Sequence, residues 1–217
     1  MTSSLTRRRA LGLGVGAGAA FALTTAVPAQ AAPASRATWK QSHSANGWPV
    51  LAHATTYHVE GTNAEVSLAK GDAATVLLHV ARRFAYEIDM LRAGDLHGHT
   101  TARTVGASFE SNHLSGTAIA IRPMHYPLGA DVKNTGMSET DRIVVADILA
   151  DCEGVVAWGG DLKPVKQSHF HIAVKPGDPR LQRLAARIRG WNDTPGEGAG
   201  SIDAFAPARR RVAARHQ

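Results

Sequence analysis

A small α+β domain, with a short antiparallel sheet and flanking helices, is the fold class this sequence predicts. Three observations carry that reading. Stretches of helical periodicity beginning at residues 72, 138 and 178 interleave with short strand candidates. Their order lacks the repeated strand–helix–strand rhythm of a doubly wound sheet. The chain between its two atypical ends is about 150 residues long, enough for one domain with one core.

Asn46-Gly47-Trp48-Pro49-Val50 reads as a turn entering the domain. Thr56 to Val59 and Glu65 to Leu68 alternate as short strands. From Asp72 to Leu91, Leu77, Val80, Ala81, Phe84, Ile88 and Leu91 recur at spacings of three and four, which predicts a helix with Asp72 as its cap. Ser138 to Cys152 is a second helix. Ser138 and Asp141 stand at capping-box spacing, Val144, Val145, Ile148, Leu149 and Cys152 form the apolar stripe, and Gly154 ends it. Asp178-Pro179 opens a third helix, because proline at the first helical position gives up no needed N–H, and Leu181, Leu184, Ala185, Ile188 and Trp191 form its buried face. Thr117 to Ile121, Val155 to Trp158 and Phe170 to Val174 are the strand candidates between these helices.

The ends read differently. Residues 1–31 are expected to be a twin-arginine export signal. Thr6-Arg7-Arg8-Arg9-Ala10-Leu11 carries the basic pattern, a weakly apolar run extends to Val27, and Ala29-Gln30-Ala31 is a small-residue cleavage site. A membrane anchor competes with that reading, but the run is near the lower limit of spanning length and is diluted by glycine. No other stretch is apolar enough to span a bilayer. Secretion or cell-wall association follows as the expected location. Residues 32–45 read as a linker, 46–192 as the domain and 193–217 as a disordered basic tail.

The formal charge of +6 sits mostly at those ends. Residues 32–194 carry 17 basic and 16 acidic side chains. A nucleic-acid-binding domain wears its basic excess on the folded surface, so that class is excluded. The single cysteine, Cys152, forms no intramolecular disulfide and falls on the apolar side of its helix, where an inert buried thiol is expected.

Of the 11 histidines, His43, His53, His58 and His79 have no partner at ligand spacing. His97 and His99 flank Gly98 in a polar loop, either as metal ligands or facing solvent. His169 and His171 stand at i and i+2 on a strand, so both rings project from one face. Two imidazoles on one face can chelate a cation. Catalytic zinc sites use three protein ligands and leave a fourth position open, and His113 with His169 and His171 makes three. The competing reading is that one of the strand pair only lines a cleft.

Two stretches then carry a resemblance: Ser111-Asn112-His113-Leu114-Ser115-Gly116-Thr117-Ala118-Ile119-Ala120-Ile121, and Trp158-Gly159-Gly160-Asp161 followed by His169-Phe170-His171. In order, spacing and glycines they resemble the zinc D-alanyl-D-alanine carboxypeptidases, which include VanY-like enzymes and phage L-alanyl-D-glutamate endolysins. The resemblance implies a zinc-peptidase-like cleft, zinc as cofactor and peptidoglycan stem peptides, or another cell-wall component, as partner. His113 and His169 match two of the three zinc ligands. The third, an aspartate, is replaced by Ala120, and the catalytic acid by Lys166. Ser111 and Arg103 match groups that grip the substrate's terminal carboxylate. His171 stands where the family has glutamate.

A methyl group binds no metal, and a protonated lysine is no general base. The sequence therefore predicts a carboxypeptidase-like protein that binds or acts on cell-wall peptides with its reaction lost or severely weakened. The alternative is an active metallopeptidase in which His171 supplies the third zinc ligand and Asp161 or Glu110 the base. A third reading is an exported structural or partner-binding protein with a vestigial cleft.

Overall fold

The structure, a computed structural model, describes residues 36–130, 133 and 136–215, as short strands and helices joined by turns. The export-signal reading of residues 1–31 lies outside the described residues. In chain order the elements are β1 (Ala37–Thr38), β2 (Thr55–His58), β3 (Glu65–Leu68), α1 (Asp72–Glu87), β4 (Leu96–His97), β5 (Thr104–Val105), β6 (Ala118–Ile121), α2 (Glu139–Asp151), β7 (Val156–Trp158), β8 (His169–Ile172), α3 (Pro179–Asp193) and α4 (Pro207–Ala213). A 3-10 turn, Ser108–His113, precedes β6. All pairings are antiparallel: β1 with β5, β2 with β3, and a four-stranded sheet in the order β4-β6-β8-β7. The fold is thus a small α+β domain with short antiparallel sheets.

The four-stranded sheet sorts its side chains by parity, because successive residues of a strand point to opposite faces. Leu96, Ile119, Ile121, Phe170, Ile172, Val156 and Trp158 go to the face that joins the core built on α1, α2 and α3. The other face receives His97, Ala118, Ala120, Ala157, His169 and His171, through the pairs His97↔Ala120, Ala120↔His169, Ala118↔His171 and Ala157↔His171. One face of the sheet is hydrocarbon, and the other is a row of imidazoles set between alanines.

The helices refine the sequence expectations. Gly71, at φ +95°, rather than Asp72, caps α1, and Asp72 is instead the first helical residue, paired to Arg189. The helix stops at Glu87, four residues short of Leu91. Asp89 N–H reaches back to the Phe84 carbonyl, which unwinds the last turn, while Leu91 stays buried on an extended segment. On α2 the capping box forms in both directions between Ser138 and Asp141, and Cys152 is buried at the helix end, where burial pushes its thiol up to about 12. On α3, Asp178 accepts the Arg180 N–H and Pro179 takes the first turn.

Two terminal expectations change. The tail expected to be disordered contains α4, which lies against α2, and Arg209 pairs with Asp147 and Asp151 there. Acidic partners, not solvent, receive that arginine. The described part of the linker, from residue 36, is strapped to the domain: β1 pairs with β5, and the Ala45 N–H donates to Ser111 Oγ; at the domain's first residue the Asn46 side chain donates to Thr117 and to the Ile172 carbonyl.

His79 lies in the core on α1, 1% exposed, with neither ring nitrogen hydrogen-bonded and its ring 5.5 Å from that of Trp191. Burial first, then the Arg83 charge, lowers its pKa to about 3. The folded chain therefore refuses a proton that the unfolded chain accepts below pH 6.5. Stability from this group is complete above that value and is lost as pH falls toward 3, at about 1.4 kcal/mol per pH unit. A His79→Leu variant, measured by urea unfolding at pH 7 and pH 5, is expected to lose about 2 kcal/mol less than the parent across that interval.

Candidate functional site

Loop and sheet meet around a cavity of about 680 Å³, whose lining includes His97, Gly98, His113, Ala120 and Lys166. His113 reaches it from the end of the 3-10 turn, where Gly116 at φ +66° lets the chain double back into β6. A side chain there would also press to 2.6 Å from the Ala69 N. Gly98 answers a second close approach: a Cβ would sit 2.2 Å from the Ser67 carbonyl oxygen. That proximity brings the Gly98 carbonyl to 2.8 Å from His113 Nδ1.

The carbonyl fixes the tautomers. It can only accept, so His113 Nδ1 donates and Nε2 holds a lone pair. Next to that lone pair, at 3.3 Å, is His169 Nδ1. The opposite nitrogen of His169, Nε2, stands 3.2 Å from His171 Nδ1. Without a cation, His171 donates to His169 and His169 to His113, and all three rings are neutral. Burial, then the Lys166 charge, lowers His113 to about 4. Burial, then the neighbouring histidines, takes His169 well below its ordinary value, and burial lowers His171 to about 4.

Zinc fits only part of this arrangement. Two ligands of a tetrahedral zinc with bonds of 2.0–2.1 Å stand about 3.3 Å apart, which is the separation of His113 Nε2 and His169 Nδ1. The three-histidine set expected from the sequence does not converge. His169 turns one nitrogen to His113 and the other to His171, so no single point takes a nitrogen from each ring as placed. His171 stands behind His169 as a partner that orients its ring, the role outer-shell groups play for metal-binding histidines. Among the described residues no group of three or more His, Cys, Asp or Glu is already gathered around a metal position.

No protein-family model, curated protein or solved structure matches this chain.

The Ala120 methyl faces the cavity between the strands of His97 and His169. Lys166 Nζ pairs with Glu110 Oε1. Burial raises the Glu110 pKa, but the Lys166 hydrogen bond and charge and the Gly106 N–H outweigh it, so the carboxyl lies below its ordinary value. A carboxylate held by an ammonium is a poor proton acceptor. Asp161 lies on the turn after β7, outside the cavity lining, and burial raises its pKa. Neither carboxylate lines the cavity.

The two groups expected to grip a carboxylate are engaged elsewhere. Ser111 is fully buried, and its Oγ donates to the Ser108 carbonyl and accepts from the Ala45 N–H, so it tethers the chain entering the domain. Arg103 turns its guanidinium to the carbonyls of Trp39 and Gln41. The cation that does line the cavity is Lys166. The pairing of Lys166 with Glu110, 56 residues earlier in the chain, has no local signal in the sequence.

Proposed function

We propose that this chain is a zinc D-alanyl-D-alanine carboxypeptidase-like protein of the cell envelope. It binds peptidoglycan stem peptides in the His113–Lys166 cavity and has lost, or nearly lost, the ability to cut them. One observation carries the reading: a methyl group and a paired ammonium line the cavity where hydrolysis requires two carboxylates. Hydrolysis through a metal needs a polarising cation and a group that moves the proton. Here the histidine pair supplies two ligand nitrogens, and the base position supplies a positive charge. That charge suits the terminal carboxylate of a peptide, for which Lys166 can exchange Glu110 as partner.

Zinc, if it binds at the His113–His169 pair, supplies Lewis acidity. The residues themselves hold the rings in orientation through Gly98 and His171 and present Lys166 to an anion. The active alternative requires His171 on the same cation as His113, and His171 faces the far nitrogen of His169.

The test is calorimetric titration of the chain with a stem peptide ending in D-Ala-D-Ala, with mass spectrometry of the mixture. Binding without release of D-alanine is expected, with affinity weakened about tenfold or more in Lys166→Met through loss of the charge-assisted hydrogen bond. Cleavage that a chelator abolishes would overturn the proposal, and so would failure of the peptide to bind.

A further inference from the structure

We propose that His97 completes a divalent-metal site with His113 and His169, taking the place of the carboxylate that Ala120 lacks. Strand register carries the argument. His97 on β4 is directly opposite Ala120 on β6, and Ala120 is directly opposite His169 on β8. Residues directly opposite in antiparallel strands share a face. His97 and His169 therefore flank the Ala120 methyl on one face of the sheet, two strand spacings, or about 10 Å, apart at Cα; His97 and Ala120 line the cavity, and His169 is buried beside it. His113 closes the third side, with Nε2 already 3.3 Å from His169 Nδ1.

The small residue at 120 makes this possible. A methyl leaves open the space above the central strand, into which imidazoles from both neighbouring strands can lean over a shared cation. The His97 ring is free to do so: it is exposed at the cavity, and among the described residues its nitrogens have no hydrogen-bond partner. His99, the other histidine of this loop, is held at the Leu51 carbonyl. The two fixed rings have the outer contacts that orient metal ligands, His113 Nδ1 on the Gly98 carbonyl and His169 Nε2 on His171. Glu110 offsets the nearby charge of Lys166. Three imidazoles with a fourth position left open suit Zn²⁺, and also Co²⁺ as a spectroscopic stand-in.

This inference does not rest on the peptide reading, because metal uptake is measured with no peptide present. The chain, stripped by a chelator, is titrated with Co²⁺ and followed by its visible absorption, and X-ray absorption counts the imidazoles on bound Zn²⁺. One metal per chain with three imidazoles is expected. His97→Ala, at an exposed position and with unchanged circular dichroism, is expected to weaken binding more than about 100-fold, beyond the usual effect of outer contacts. His99→Ala is expected to bind as the parent does. Absence of stoichiometric uptake by the parent, two imidazoles rather than three, or a His97→Ala titration matching the parent would each overturn the proposal.

Discussion

The double variant Ala120→Asp, Lys166→Glu is expected to release D-alanine from peptides ending in D-Ala-D-Ala at least about a hundredfold faster than the parent chain, because a positioned acid–base group contributes about two to four orders of magnitude. Each substitution has a separate task. An aspartate introduced in place of Ala120 projects from the central strand between His97 and His169, toward the space bounded by His113. There it adds a carboxylate to nitrogens already spaced as two ligands of one cation. A glutamate introduced in place of Lys166 exchanges an ammonium for a group that can take a proton from water and return it to the leaving amine. The Glu110 carboxylate loses its partner but keeps the Gly106 N–H. Ala120→Asp alone is expected to tighten zinc without restoring turnover. It is also expected to rescue metal binding in His97→Ala, since either side chain then completes the set. Release is followed by chromatography with mass detection in the presence of zinc. A folded, zinc-loaded double variant as inactive as the parent would show that the cavity is not shaped for this reaction.

How much of this arrangement the sequence reveals depends on whether a feature is local or is made by register. The alternation of Ala118 to Ile121 and of His169 to Ile172 is local, and it places both strand histidines on one face as expected. A shared face does not amount to a shared cation. Which nitrogen of His169 meets which neighbour depends on the Gly98 carbonyl that orients His113, and no sequence periodicity reports that contact. His97 is harder still to read. Its strand is two residues long, too short for a pattern, and its significance arises only from lying opposite Ala120. The partners of Ser111 and Arg103 are also made by the fold and not by local pattern. Their residue types suit an anion, but the segment from residue 36 folds back and occupies both. On α2 a signal was present: Asp147 and Asp151 stand one turn apart beside Ala146 and Ala150, a face suited to a basic helix and not to water. The arginines that answer it lie on α1 and on α4, more than fifty residues away in either direction.

Arg83→Met is expected to destabilise the chain by about 3–5 kcal/mol, as removal of one partner from a buried ion network does. Arg83 is fully buried on α1. Its Nε donates to Glu87 at 2.7 Å, its Nη1 to Asp151 at 2.7 Å and its Nη2 to Asp147 at 2.7 Å. Asp147 is itself 1% exposed and is left with Arg209 alone when Arg83 goes. Methionine retains much of the aliphatic stem, so the loss reports charge and hydrogen bonds more than volume. Arg209 makes comparable contacts from α4, but its side chain is 32% exposed and water screens it. Arg209→Met is therefore expected to cost no more than about 1 kcal/mol. Urea unfolding of the two variants separates a buried hub from a peripheral clasp, and equal losses would show that burial of Arg83 does not govern the network. The sign of the coupling gives a sharper check. If the penalty in Arg83→Met comes from carboxylates left without a counter-ion, then adding Asp147→Leu removes one of them, and the double variant must be less destabilised than the sum of the singles. An additive double variant would move the cost from unpaired charge to packing around α1.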